Sequence, residues 1–174
     1  MTKRLGILGL IMLLVISIMP TAVFAADESN SRVVLGADLD ADQIDTVYSD
    51  FGISRGDVDE LFVTNKEERE YLDGLVPDER IGHNAISSIY FTLEDEGEGL
   101  SVSTNNINWC TADMYKNALT TAGITDATIV VSAPFHVSGT AALTGIYKAY
   151  SDITGIPLDD INKIAATEEL VVTG

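Results

Sequence analysis

The sequence predicts an α/β fold: a mixed sheet of about five strands, a hairpin at its centre, and helices packed against it. Three observations carry that expectation. Apolar residues recur with helical period in some segments, and with a period of two or as compact β-branched runs in others. The two kinds alternate twice along the chain, around a central pair of strand-like segments. No low-complexity linker divides residues 26–174, a length that suits one core.

After a polar, acidic start, Arg32 to Leu35 reads as a strand ending at Gly36. Asp40-Ala41-Asp42-Gln43 has the form of a capping box, and Ile44, Val47, Tyr48 and Phe51 fall on one stripe of the helix that follows, which Gly52 ends. Leu61 to Val63 is a second strand. Thr64 or Asn65 then caps a charged helix over Lys66 to Leu75, closed by Pro77. In Ala85 to Leu93, Ile89, Phe91 and Leu93 share one face while Ser88, Tyr90 and Thr92 share the other. Leu100 to Trp109 is expected to return as its hairpin partner, with a bulge near Asn105-Asn106 where the apolar parity changes. Thr111 caps a helix with the stripe Met114, Tyr115, Ala118, Leu119 and Ala122, ended by Gly123. Thr128 to Val131 suits a strand covered on both faces, stopped by Pro134. A helix from Ser138 presents Leu143, Ile146, Tyr147, Tyr150 and Ile153, and a last one over Leu158 to Glu169 presents Ile161, Ile164 and Ala165.

An internal echo suggests a duplicated β-α-β unit. Asp40-Ala41-Asp42 leads to Gly52-Ile53, and Thr111-Ala112-Asp113 leads to Gly123-Ile124, with Ala and Gly eleven residues apart in both. Two copies of this kind predict a pseudo-symmetric sheet with a cleft between them; the alternative is that capped helices ending in Gly-Ile are simply common.

The first twenty-five residues read as a secretory signal peptide. Lys3 and Arg4 precede an apolar run from Leu5 to Ile18, Pro20 breaks it, and Val23-Phe24-Ala25 sets small residues where a signal peptidase cuts, placing cleavage after Ala25. The rival reading is a retained anchor, since Leu5 to Phe24 approaches the ~20 residues that span a bilayer. The membrane is therefore expected as a partner only through an uncleaved leader. The formal net charge is −17, and the leader removes two basic residues and no acidic one, so the mature chain is more acidic still. Such a surface repels phosphate backbones, which argues against nucleic acid and favours cations or basic partners. Cys110 is the sole cysteine, so no internal disulfide supports the domain.

Thr64-Asn65-Lys66-Glu67-Glu68-Arg69-Glu70-Tyr71-Leu72, then Gly74-Leu75-Val76-Pro77, Ile81-Gly82 and Ala85-Ile86-Ser87-Ser88, resemble the DUF1002 family of exported proteins from Gram-positive bacteria. Ser138-Gly139-Thr140-Ala141-Ala142-Leu143-Thr144-Gly145 and Glu168-Glu169-Leu170-Val171-Val172-Thr173-Gly174 look like further stretches of it. The resemblance implies an exported α/β protein. It lends no established activity. It also implies a basic residue where this chain has Asn84, an apolar one where it has Cys110, and a chain that runs on past Gly174.

No nucleophile elbow, phosphate-cradling loop or dinucleotide fingerprint occurs, so no cofactor is expected. Asp38, Asp40 and Asp42 are spaced like the first calcium ligands of an EF-hand, but Gln43 stands where the turn glycine belongs and Ser49 where the bidentate Glu belongs, so capping explains them better. Glu94-Asp95-Glu96-Gly97-Glu98 reads as a solvated turn. His83, His136 and Cys110 are too few and too scattered for a zinc site, and no metal is expected. Nor does their spacing support a cysteine nucleophile, and Cys110 reads as a small buried apolar group. Ser138-Gly139-Thr140 opens a helix with amides and hydroxyls that suit an anion, yet no lysine flanks it, and ordinary capping is the expectation.

The polar group singled out for binding is Asn65, Glu67, Glu68 and Arg69, where the family-like string is richest. These readings favour a non-enzymatic binding or interaction module, secreted or associated with the cell envelope, whose partner is an envelope protein or wall component. The alternatives are a carboxylate-dependent hydrolase acting on envelope material, with acids drawn from Glu67, Glu68 or the turn cluster, and a weak calcium-binding protein.

Overall fold

A computed structural model describes residues 29–173 of the 174-residue chain. The leader expected over residues 1–25, its cleavage after Ala25, and Gly174 lie outside the described residues. Among the described residues no helix is long and apolar enough to cross a membrane.

The chain order is β1 (Ser31–Gly36), α1 (Ala41–Phe51), β2 (Asp59–Val63), α2 (Asn65–Leu72), α3 (Asp78–Ile81), β3 (Ser88–Leu93), β4 (Leu100–Ile107), α4 (Ala112–Ala122), β5 (Ala127–Val137), α5 (Thr140–Thr154) and α6 (Asp160–Val172). The five strands form one mixed sheet in the order β2-β1-β3-β5-β4, with β1/β2 and β4/β5 parallel and β3 antiparallel to both of its neighbours. The expected α/β class and strand number are present. The capping signals also work as read. Asp40 and Gln43 exchange bonds of 2.9 and 3.1 Å at the start of α1, and Thr111 accepts from the Met114 amide at the start of α4.

The central hairpin is not there. β3 and β4 are separated by β5, because Asp126, just ahead of β5, gathers the connection around itself. Its Oδ1 accepts from the Gly97 and Gly99 amides at 2.8 Å each, and its carbonyl accepts from Glu94 N. The more apolar strand takes the interior place and β4, with Ser101, Ser103 and Asn105 exposed, takes the edge. The acidic turn is thus a wide connection over the end of β5. The bulge near Asn105-Asn106 does occur, against β5: the register jumps from Asn105↔Ser132 to Ile107↔Val137, with Asn106 at φ 57°. Pro134 does not stop β5. It falls in the bulged stretch, where β3 pairing has already ended at Ser132 and no ladder amide is required.

Alternation along the strands sends apolar side chains to two layers. Val34, Ile89, Phe91, Ile129 and Val131 face α4 and α5, with α6 packed beyond, in the larger core. Val33 and Leu35 face α1 on the other side, with Val47, Tyr48 and Phe51. Both halves of the sequence echo are β-α-β units with a parallel pair, but α1 and α4 lie on opposite faces, and the second strand is an edge in one unit and interior in the other. No symmetric cleft lies between them. In α6 the buried residues are Ala166, Thr167 and Leu170, while Ile161 is 74% and Ile164 44% exposed, so the Ile161-Ile164-Ala165 stripe is not the packed one.

Candidate functional site

The C-terminal ends of β1 and β5 open toward the same side of the sheet, where the start of α5, α2, α3 and the segment 82–87 meet. Segment 82–87 is fixed to β1 by short contacts. The Ala85 amide donates to Asp38 Oδ2 at 2.8 Å, Gly36 N donates to Ser88 Oγ at 3.0 Å, and any Cβ on Gly36 would sit 2.3 Å from the Ala85 carbonyl oxygen. Asp38 and Asp40 therefore bind backbone amides instead of forming a calcium loop. Among the described residues no set of three His, Cys, Asp or Glu side chains is placed to hold a metal.

These elements enclose a polar cavity of about 340 Å³. Its rim is exposed and carries Arg80, His83, Asn84, Asn108 and His136; its floor is buried and carries Glu68, Ser87 and the first turn of α5. Both histidines reach the rim from distant parts of the chain. Cys110 is 1% exposed, packs in the core, and its thiol is pushed up to about 12 by burial, which removes it as a nucleophile.

Glu68 is the chemically unusual group. Thr64 and Glu67 form a capping box that starts α2, and one residue further round the helix Glu68 turns into the interior, fully buried. Its Oε2 accepts from Asn65 Nδ2 at 3.1 Å, while Oε1 has no hydrogen-bond partner. Burial pushes its pKa up to about 7, against the softening influence of the nearby Thr140 hydroxyl, Asn65 and Arg69. The Thr140 hydroxyl is itself engaged with Ser138 Oγ at 3.1 Å and the Arg80 carbonyl at 3.4 Å.

Arg69 holds the wall. Its guanidinium donates to Asn65 Oδ1 at 3.1 Å and to the Gly82 carbonyl at 2.5 Å, and it pairs with Asp73 and Asp78 at 2.8 and 2.7 Å, tying α2 to α3. Of the four residues singled out from the sequence, Asn65, Glu68 and Arg69 form one network. Glu67 leaves it. Glu67 points to the other side of α2, accepts from the Thr64 amide, and pairs with Lys148 Nζ at 2.6 Å beside a second cavity of about 420 Å³. Burial acts to raise its pKa, but Lys148 and the Thr64 amide and hydroxyl outweigh it and hold the carboxyl below its ordinary value.

The start of α5 departs from the expected capping. Gly139 is the N-cap at φ 96° and no side chain caps the helix; Ser138 and Thr140 bond each other instead. The Ala142 amide donates to Ser87 Oγ at 3.0 Å, and the amides of Thr140 and Ala141 have no partner among the described residues. From beneath, the buried Tyr115 hydroxyl donates to the Gly139 carbonyl at 2.5 Å, and a Cβ on Gly139 would meet that hydroxyl at 2.5 Å and Ile107 at 2.6 Å. Arg80 escaped sequence reasoning, and His83, His136 and Ser87 were not connected with Glu68 by it, since only the fold brings the four to that residue.

The family model described as a protein of unknown function (DUF1002) matches residues 35–174, a span that includes every residue of the cavity. The chain belongs to the DUF1002 family. It is 41% identical over 168 residues to the uncharacterized protein YpuA of Bacillus subtilis (strain 168), covering 95% of this chain and 58% of that relative. The chain thus spans a little over half the length of the DUF1002 relative it matches. No solved structure matches it.

Proposed function

We propose that this DUF1002 protein is an extracytoplasmic binding module of the cell envelope, and that it takes its ligand into the cavity closed by Glu68. The observation that carries the reading is Glu68 Oε1, wholly buried and without a partner at the edge of a polar cavity. A buried polar atom of this kind costs about 1–3 kcal/mol until something bonds it, so a ligand that does so gains affinity the empty protein forgoes. The apolar leader with its basic start and the strongly acidic composition support placement outside the membrane, where a wall component is the natural ligand. Amide NMR of the purified protein titrated with solubilised wall fragments is the test. Saturable shifts at Ser87, Thr140 and Ala141 are expected, and shifts confined to other surfaces defeat the reading.

A carboxylate-dependent hydrolase is the second reading, favoured by one observation: an acid that stays protonated to about pH 7 beside a cavity suits general acid work. Its partner is not Glu67, which faces the other cavity; the remaining carboxylate on the lining is Glu79, exposed at the rim. Turnover of wall fragments lost in Glu68→Gln with folding intact is what this reading requires.

A further inference from the structure

We propose that the cavity closed by Glu68 is an oxyanion site, which seats the carboxylate or phosphate group of its ligand on the first turn of α5; the proposal rests on the reading of that cavity as the binding site. Three features of the fold converge on a negative group. The first is α5 itself, fifteen residues long, with a glycine at its N-cap that offers no side-chain cap and with the Thr140 and Ala141 amides unpartnered among the described residues. Such a terminus concentrates the positive end of the helix dipole and two free donors. Because Ser87 Oγ already occupies the Ala142 amide, the open donors are the two at the cavity floor.

The second is charge. In a chain of net charge −17, Arg32, Arg55, Arg69, Lys148 and Lys163 are ion-paired, while Lys66 and Lys116 stand outside the cavity without an ion pair among the described residues. Arg80 is the exception among the described arginines. Its guanidinium lies over the Trp109 ring, 5.4 Å from the centroid, without a carboxylate, at the cavity rim. His83 and His136, the only histidines in the chain, share that rim. An unneutralised arginine in so acidic a protein is a seat left for an anion brought from outside.

The third is Glu68. An ionised carboxylate there would repel an anion, but burial raises the Glu68 pKa to about 7, and below that pH the protonated carboxyl is a donor. The unpartnered Oε1 is then an O–H lacking an acceptor, beside two amides in the same condition. One oxyanion satisfies all three. A cation would instead meet the positive end of α5 and Arg80. The charged and titratable groups around Glu68 are Asp38 after β1, Arg69 on its own helix, Glu79, Arg80 and His83 from α3 and the turn beyond it, Cys110 and Tyr115 in the core beneath, and His136 on β5; among the described residues Glu79 is the one acid at the rim, and it is exposed to solvent.

The test is an amide NMR titration of the purified protein with four probes: inorganic phosphate, acetate, methylamine and glucose. Phosphate or acetate should shift the Thr140 and Ala141 amides saturably, the preferred probe telling which oxyanion the ligand carries. Arg80→Gln, a change at an exposed position, should weaken that binding about tenfold, equivalent to ~1.4 kcal/mol. Acetate affinity should fall as pH rises above about 7 in the native protein. Glu68→Gln keeps a donor at the same place and both histidines, so it should bind acetate with that part of the pH dependence removed. Shifts produced only by methylamine or glucose overturn the oxyanion assignment while leaving the binding cavity standing. Silence toward all four probes together with wall fragments sinks both readings. Undiminished affinity in Arg80→Gln refutes the proposal even if Glu68→Gln fails to fold.

Discussion

Glu67 and Glu68 are neighbours in the chain and opposites in the fold. Glu67 lies on the outer side of α2, paired with Lys148 and with the Thr64 amide, next to a cavity that also holds Tyr71, Tyr147 and Lys163. Glu68 lies on the inner side with one oxygen bonded and one bare. The first carboxyl is held below its ordinary value by its partners; the second is raised to about 7 by burial, which its few partners do not offset. A step of one residue along a helix rotates the side chain by about a quarter turn, which is enough to cross from a solvated ion pair to the interior. Acidic residues in an acidic protein are therefore not one population.

The largest expected effect separates the two by pH. Folded Glu68 titrates near 7 against an ordinary value of 4.5, so between those values the native state holds a proton that the unfolded chain has released. Its contribution to stability falls as pH rises through that window, by about 3 kcal/mol in all, and then levels off. Urea unfolding of the native protein and Glu68→Gln from pH 4.5 to 8 should show the variant gaining on the native protein by that amount. Parallel profiles would mean that Glu68 is not the buried acid described.

A smaller effect is expected across α2. Tyr147 Oη is buried without a partner, and the neighbouring Thr167 hydroxyl donates to the Lys163 carbonyl. Tyr147→Phe should be neutral or stabilising by up to about 1 kcal/mol in the same unfolding measurement, since it deletes an unmet polar atom without changing shape. A loss of 2 kcal/mol or more, on the order of a broken buried bond, would show that this hydroxyl is satisfied after all.

The smallest effect belongs to the ion pair. Glu67 and Lys148 side chains are 35% and 37% exposed, so Lys148→Met should cost less than about 1 kcal/mol. That cost has the opposite sign of pH dependence to Glu68: it is present above the ordinary glutamate value and disappears as pH falls through the lowered value of Glu67. If the cost instead grows toward acid pH, the contrast between the two carboxyls breaks.

Local signals were legible and long-range ones were not. The capping box at Asp40, the stripe of α4 and the parity change in β4 all depend on neighbours a few residues apart, and all appear as read; of the two candidate caps Thr64 and Asn65, Thr64 is the one used. The hairpin failed because two strands joined by a tight acidic turn look like partners until Asp126, nearly thirty residues on, wraps the turn around β5. The stripe in α6 failed because burial there is decided by α4, whose position the α6 sequence does not encode. For the site, the family-like string pointed to Asn65, Glu68 and Arg69. It could not say that Glu67 would face elsewhere, nor that Arg80, His83 and His136 would assemble from two distant segments.

Tyr115 beneath Gly139 has a practical corollary. The helix start that forms the cavity floor is held from inside by a core hydroxyl and by the absence of a side chain at 139. The rim groups stand on separate, exposed positions. Recognition in this protein can therefore be rewritten at 80, 83 and 136 while the seat beneath keeps its shape, much as one changes a lens without moving its mount.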